Sequence, residues 1–186
     1  PKNSIIAIEL ILMASKTPKA IKISQKHLLG IQDLSVNDVN IILNEAQTFI
    51  SINRSKNKKI DVIVGIESRG FIFAAPLSLK LGCKFSLARK PGKLPSDTIS
   101  EKYELEYGTD AIEMHKDAIN DGDNVLIVDD LLATGGTAKA TGSLVKKLGG
   151  KIVECAFVID LPDLKGKEEI ENHGAKVFSL VEFEGD

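Results

Sequence analysis

Val125-Leu-Ile-Val-Asp-Asp-Leu-Leu-Ala-Thr-Gly-Gly-Thr-Ala-Lys139 decides how this chain is read. Four apolar residues, Val125 to Val128, run into two adjacent carboxylates, Asp129 and Asp130. A loop with two glycines and two threonines follows, and from Ala138 the chain turns helix-friendly. The apolar run predicts a strand buried on both faces, as in a parallel α/β sheet. Ligands of such sheets sit beyond the carboxyl ends of the strands, where the rest of the stretch falls. Gly135 and Gly136 let main-chain N–H groups approach an anion closely, and the helix start adds unpaired donors and positive dipole. The Ala133 main chain and the Thr134 and Thr137 hydroxyls complete that cradle. Two carboxylates would repel a phosphate; they suit the hydroxyls of a sugar, or a magnesium ion held through water. An anion beside a diol points to a ribose 5-phosphate.

Outward from this stretch the pattern repeats. Ile60 to Ile66 is a β-rich run that ends in Glu67-Ser-Arg-Gly-Phe71 and leads into a helix from Phe71 to Leu81. The strand-to-helix turn at Ser68 and Arg69 predicts a second anion site, with pairing of Arg69 to Glu67 as the structural alternative. A strand from Cys83 to Ala88 precedes Arg89-Lys-Pro-Gly-Lys-Leu-Pro95, where Arg89, Lys90 and Lys93 place three cations in five residues. With the polar Ser96 to Lys102, this segment is expected to form a flexible lid loop. In Tyr103-Glu-Leu-Glu-Tyr-Gly108, alternation puts Glu104 and Glu106 on one strand face, and 110–119 reads as its hairpin partner. A helix over 138–148, a strand over 152–159, a loop with Leu161, a helix over 167–172 and a strand over 177–181 complete the α/β pattern.

Taken together, these motifs resemble the type I phosphoribosyltransferases, and Asp129-Asp-Leu-Leu-Ala-Thr-Gly-Gly-Thr137 is worded as in adenine phosphoribosyltransferases. The resemblance runs from about residue 60 to 183. It implies a mostly parallel sheet flanked by helices, and transfer of phosphoribose from phosphoribosyl pyrophosphate (PRPP) to adenine, giving AMP and pyrophosphate. Ser68, Arg69, Arg89, Lys90 and Lys93 would then bind pyrophosphate, partly across a homodimer interface. Arg69, Tyr107 and Leu161 would contact the base, although Leu161 is equally a plain hydrophobic anchor. Mg2+ would arrive on PRPP with no direct protein ligand, its water shell near Asp129 and Asp130. Ala133 holds the place where hypoxanthine-guanine enzymes of this fold carry a catalytic aspartate. Alanine has no proton to exchange, so the resemblance assigns acid/base work to Glu106. A PRPP-binding regulator without catalysis, or a transferase for another purine, is the alternative.

Residues 1–59 read differently from the core at 60–186. Val36 to Ile50 has helical spacing, followed by the basic linker Asn53 to Lys59. Residues 13–61 resemble the first helix of an aspartate carbamoyltransferase catalytic chain, so the region is expected to be foreign or strongly diverged. The 186 residues are 43% hydrophobic and 27% charged with a net charge of −2, which favours neither nucleic acid nor an anionic membrane as partner. Cys83 and Cys155 are expected as buried thiols, and the three histidines lack zinc spacing, all consistent with a cytoplasmic protein.

Overall fold

The computed structural model describes residue 37, residues 60–104 and residues 108–183. The helix expected over 36–50 lies, apart from residue 37, outside them, as do Glu106 and Tyr107. The described residues from 60 onward belong to the larger of two compact units, Glu45–Asp186.

The elements of this unit run β1 (Val62–Ile66), α1 (Gly70–Leu81), β2 (Lys84–Ala88), β3 (Thr98–Glu104), β4 (Thr109–His115), β5 (Asn124–Leu132), α2 (Gly136–Lys147), β6 (Lys151–Asp160), α3 (Gly166–Asn172) and β7 (Val177–Glu182), with a short 3-10 turn at Pro162–Leu164. β1, β2, β5, β6 and β7 form one parallel sheet in the order β2-β1-β5-β6-β7, and β3 and β4 form a separate antiparallel pair. β1 and the Val125 to Val128 run of β5 are apolar throughout because both faces are covered. Every residue of β1 is buried, as are Val125 to Val128. Gly65 lets α1 settle on β1: a Cβ there would stand 2.8 Å from that of Ala74.

β1 connects through α1 to β2 on one side, whereas β5 connects through α2 to β6 on the other. Crossovers of one hand running in opposite directions put the helices on opposite faces and open a crevice where the directions diverge. That place is the carboxyl edge between β1 and β5.

Two boundaries differ from expectation. β5 does not stop at Val128. Its ladder to β6 continues to Leu132↔Asp160, while its ladder to β1 ends at Gly65↔Val128. Asp129 and Asp130 therefore stay in a strand on one side and border the crevice on the other. Ser96 to Lys102 is not a lid loop for most of its length, since Thr98 to Lys102 lie in β3. Its polarity is that of a half-exposed strand: Ile99 packs on the core, Tyr103 is buried, and Thr98 to Glu104 pair with Thr109 to His115. Glu101 of β3 meets Lys147 of α2 at 2.5 Å, tying the hairpin to the main body.

Candidate active site

Residue 67 follows β1 and residue 89 follows β2, and the parallel register Ile66↔Ala88 sets them side by side. Glu67 continues the ladder by donating its N–H to the Ala88 carbonyl at 2.9 Å. Its carboxylate then receives Arg89 Nε at 3.2 Å, Arg89 Nη2 at 3.4 Å, Lys93 Nζ at 3.2 Å and the Lys90 main-chain N–H at 2.8 Å. Burial opposes the charge on Glu67, but these donors outweigh it and hold the carboxyl below its ordinary value. Arg89 also lies over the Phe71 ring, 5.9 Å from its centroid. Nothing in the periodicity of 60–66 singles out Glu67; it becomes visible only once the β1–β2 register is known.

Lys90 points elsewhere. Its ammonium is held by the Asp110 carboxylate and by the Tyr103 hydroxyl at 2.7 Å, and it stacks on the Tyr103 ring. Burial lowers the Lys90 pKa, yet Asp110 and Tyr103 more than offset this and raise it; Asp110 is lowered in turn, chiefly by Lys90. Of the three cations in the basic loop, Arg89 and Lys93 turn toward the β1 exit, and Lys90 ties the loop to the β3–β4 hairpin.

Ser68 and Arg69 are exposed, and α1 begins at Gly70. Arg69 does not pair with Glu67; its Nε reaches Asp130 at 2.6 Å across the crevice. Gly70 makes this approach possible, since a Cβ would come within 2.7 Å of the Val128 carbonyl and 2.8 Å of Asp129 Oδ1. Glu67, Ser68, Arg69, Asp129, Asp130 and Leu131 line a cleft of about 300 Å3. Asp129 Oδ1 accepts the Asp130 N–H at 2.9 Å. Burial, joined by the adjacent Asp130 carboxylate, pushes Asp129 up to about 8.

Beyond Leu132 comes the loop expected to cradle an anion. Gly135, at φ 81°, turns the chain into α2, whose first residue is Gly136. The first helical bond runs from the Lys139 N–H to the Gly135 carbonyl at 2.9 Å, so the preceding N–H groups have no acceptor within the helix. Thr134 is exposed, and Ala133 and Thr137 are half-buried. Thr134 and Gly136 line a second hollow of about 360 Å3 with Tyr103, Glu104 and Lys139. The cradle rests on Gly166 at the start of α3: a Cβ on Gly166 would collide with the Ala133 carbonyl and lie 3.0 Å from the Gly135 nitrogen. Gly166 carries no local signal in the sequence, because its contact is with a loop thirty residues away. Leu161 donates its N–H to the Leu132 carbonyl at 2.9 Å and stands half-buried beside the same strand end.

Comparison with known proteins agrees with this geometry. The phosphoribosyl transferase domain family matches residues 34–185. The adenine phosphoribosyltransferase of Vibrio cholerae is 46% identical over 180 residues, covering 93% of this chain and 99% of that protein. That of Nitrosospira multiformis is 57% identical over 134 residues, 72% of this chain and 77% of the other. The chain belongs to the adenine phosphoribosyltransferase family. The Saccharomyces cerevisiae adenine phosphoribosyltransferase, solved with adenine and an imino-altritol bisphosphate, superposes with a TM-score of 0.74 at 41% identity, covering 79% of this chain and 81% of that one. The likeness of residues 13–61 to aspartate carbamoyltransferase is not borne out: the family match begins at residue 34, and the Vibrio relative aligns over nearly the whole chain.

Among the described residues no cluster of three or more carboxylate, histidine or cysteine ligands could hold a metal directly, and no helix is long and apolar enough to cross a membrane. Asp129 and Asp130 fit a hydrated magnesium ion, which keeps its waters and is held through one or two carboxylates plus substrate phosphates.

Proposed function

We propose that this chain joins adenine to PRPP, releasing pyrophosphate and forming AMP. The observation that carries the proposal is the placement of two anion-binding loops on either side of a carboxylate pair at the β1–β5 crevice. The 5′-phosphate sits on the main-chain N–H groups and hydroxyls from Ala133 to Thr137. Asp129 and Asp130 receive the ribose hydroxyls. Ser68, Arg69, Arg89 and Lys93 take the pyrophosphate, and Lys90 supports them by fixing the loop. Asp129 and Asp130 would hold, through its waters, a magnesium ion carried on PRPP, and the ion would supply charge neutralisation for the leaving group.

In the transfer, adenine N9 bonds to the ribose C1′ as the C1′–oxygen bond to pyrophosphate breaks, and the proton on N7 passes to Glu106. The sugar is cationic at the transition state, so most of the rate comes from positioning and charge stabilisation. Glu106 adds ~10²–10⁴-fold as general acid/base. Tyr107 and Leu161 pack against the base together with the Arg69 main chain. We assign this chemistry to residues 60–186, in a cytoplasmic homodimer. Ile72 and Leu79, one heptad apart on α1, present exposed apolar side chains suited to a second copy.

A steady-state assay with adenine, PRPP and magnesium, beside calorimetry of PRPP alone, tests the proposal. AMP formation that collapses in Glu106→Gln while PRPP still binds supports it. Binding of PRPP without turnover in the wild type refutes the transfer, and near-normal turnover in the variant removes Glu106 from it.

A further inference from the structure

We infer that Glu67 is a positioning residue for the pyrophosphate half of the reaction, setting Arg89 and Lys93 at the rim of the crevice before any ligand arrives; this rests on the function proposed above. Two cations and one main-chain N–H converge on this single carboxylate, whose side chain is only 9% exposed. Both oxygens are used. Oε1 receives Lys93 Nζ and Arg89 Nη2, and Oε2 receives Arg89 Nε and the Lys90 N–H. A planar guanidinium gripped through two of its nitrogens has its orientation set as well as its place.

The rest of the loop is held from the other side by Glu113 of β4. Its main chain exchanges hydrogen bonds with Arg89 at 2.9 and 2.7 Å, and its carboxylate accepts the Gly92 N–H at 3.1 Å. Glu113 thus secures the path of the loop, and Glu67 aims its charges. The balance at Glu67 remains favourable to an anion. Arg89 and Lys93 bring two positive charges to the single negative charge of Glu67, so that carboxylate does not neutralise both. The Lys93 side chain is 53% exposed, so a ligand can meet its ammonium from the solvent side while Glu67 keeps the other. Ser68 and Arg69 follow Glu67 directly, so the carboxylate that orients the basic loop belongs to the same turn as the second anion site. One residue therefore couples the exits of two neighbouring strands.

The test compares wild type with Glu67→Gln and Glu67→Asp, reading KM for PRPP, KM for adenine, kcat, the Kd for magnesium pyrophosphate by calorimetry, and thermal midpoint. Gln keeps an acceptor for the Lys90 N–H but removes the charge that gathers the cations. KM for PRPP and Kd for pyrophosphate should both rise by about tenfold or more, the scale of a lost charge-assisted contact. KM for adenine should stay within about twofold, with part of the loss recovered in Asp. The inference is overturned by unchanged PRPP and pyrophosphate values, by tighter pyrophosphate binding (which would make Glu67 a competitor for the cations), or by equal losses for adenine and PRPP together with a fallen midpoint. Should Gln not fold, the Asp variant carries the same comparison, since its shorter reach alone moves the cations. A wild type that neither binds pyrophosphate nor consumes adenine instead overturns the proposed function itself.

Discussion

Gly135 and Gly166, thirty-one residues apart, pack main chain against main chain: a Cβ on Gly135 would stand 2.9 Å from the Gly166 carbonyl, and one on Gly166 would be 3.0 Å from the Gly135 nitrogen. The cradle at Ala133 to Gly136 is thus shaped from behind by the start of α3. Gly166→Ala should push the loop off its anion-binding geometry, raising KM for PRPP by about tenfold or more and costing about 1–3 kcal/mol of stability through overpacking. Steady-state kinetics and urea unfolding of the variant check both numbers.

The buried Asp129 carboxyl makes stability depend on pH. Its folded pKa, about 8, lies above the unfolded value near 3.8. The folded state therefore holds a proton that the unfolded state has lost, and the associated stability is fully present below about pH 4 and declines as pH rises to about 8. Asp129→Asn should flatten that decline, by up to about 1.4 kcal/mol per pH unit. Denaturant unfolding at pH 5, 6.5 and 8, without PRPP or magnesium, compares the two; parallel curves would remove Asp129 as the source.

Lys90 and Lys93 should respond differently to mutation although they sit in one basic run. Lys93→Ala removes an exposed cation at the crevice, so KM for PRPP should rise while the thermal midpoint barely moves. Lys90→Met leaves Asp110 and the Tyr103 hydroxyl without their cation. It should lower stability by up to about 1 kcal/mol, the scale of a partly exposed ion pair, since the Tyr103 hydroxyl still donates to Asp110 at 3.3 Å. Thermal unfolding and PRPP kinetics on both variants separate the roles.

Cys155 is buried in the core, and burial pushes its thiol up to about 12, whereas Cys83 is half-buried. At pH 8 a thiol reagent should label Cys83 in the native protein and reach Cys155 only after denaturation. Mass spectrometry of tryptic peptides reads this directly.

The parts of the site that are legible in the sequence are those whose chemistry is local. Val125 to Thr137 carries its strand, its carboxylates and the loop expected to bind an anion within one stretch, and the carboxylates and that loop lie at one sheet edge. The strand beneath it is longer than its apolar run, because its continuation depends on the ladder to β6, a property of two segments. Ser96 to Lys102 reads as loop because its polar residues outnumber its apolar ones. A hairpin strand needs only one apolar face, and here the pairing with 109–115 supplies the rest. The role of Glu67 is hidden for a related reason: it faces Arg89 through a strand register that no single window contains. Gly166 resembles an ordinary turn glycine, and its importance lies in the loop pressed against it.

The strand order gives the crevice a direction. Cations gather at the exits of β1 and β2, unpaired N–H groups at the exit of β5, and the carboxylates between them. A sugar phosphorylated at both ends can satisfy these three stations in one orientation; turned end for end, it would present the bulkier diphosphate to a cradle closed from behind by Gly166. The carboxylates and the cradle both hang from β5, and Arg69 and Gly70 at the β1 exit touch the carboxylates directly, so the three stations move together. A change between residues 67 and 93 is therefore felt at Asp129 and Asp130 before it can reach the phosphate end at 133 to 137. The order of the strands gives the crevice its polarity, and these contacts make it one unit.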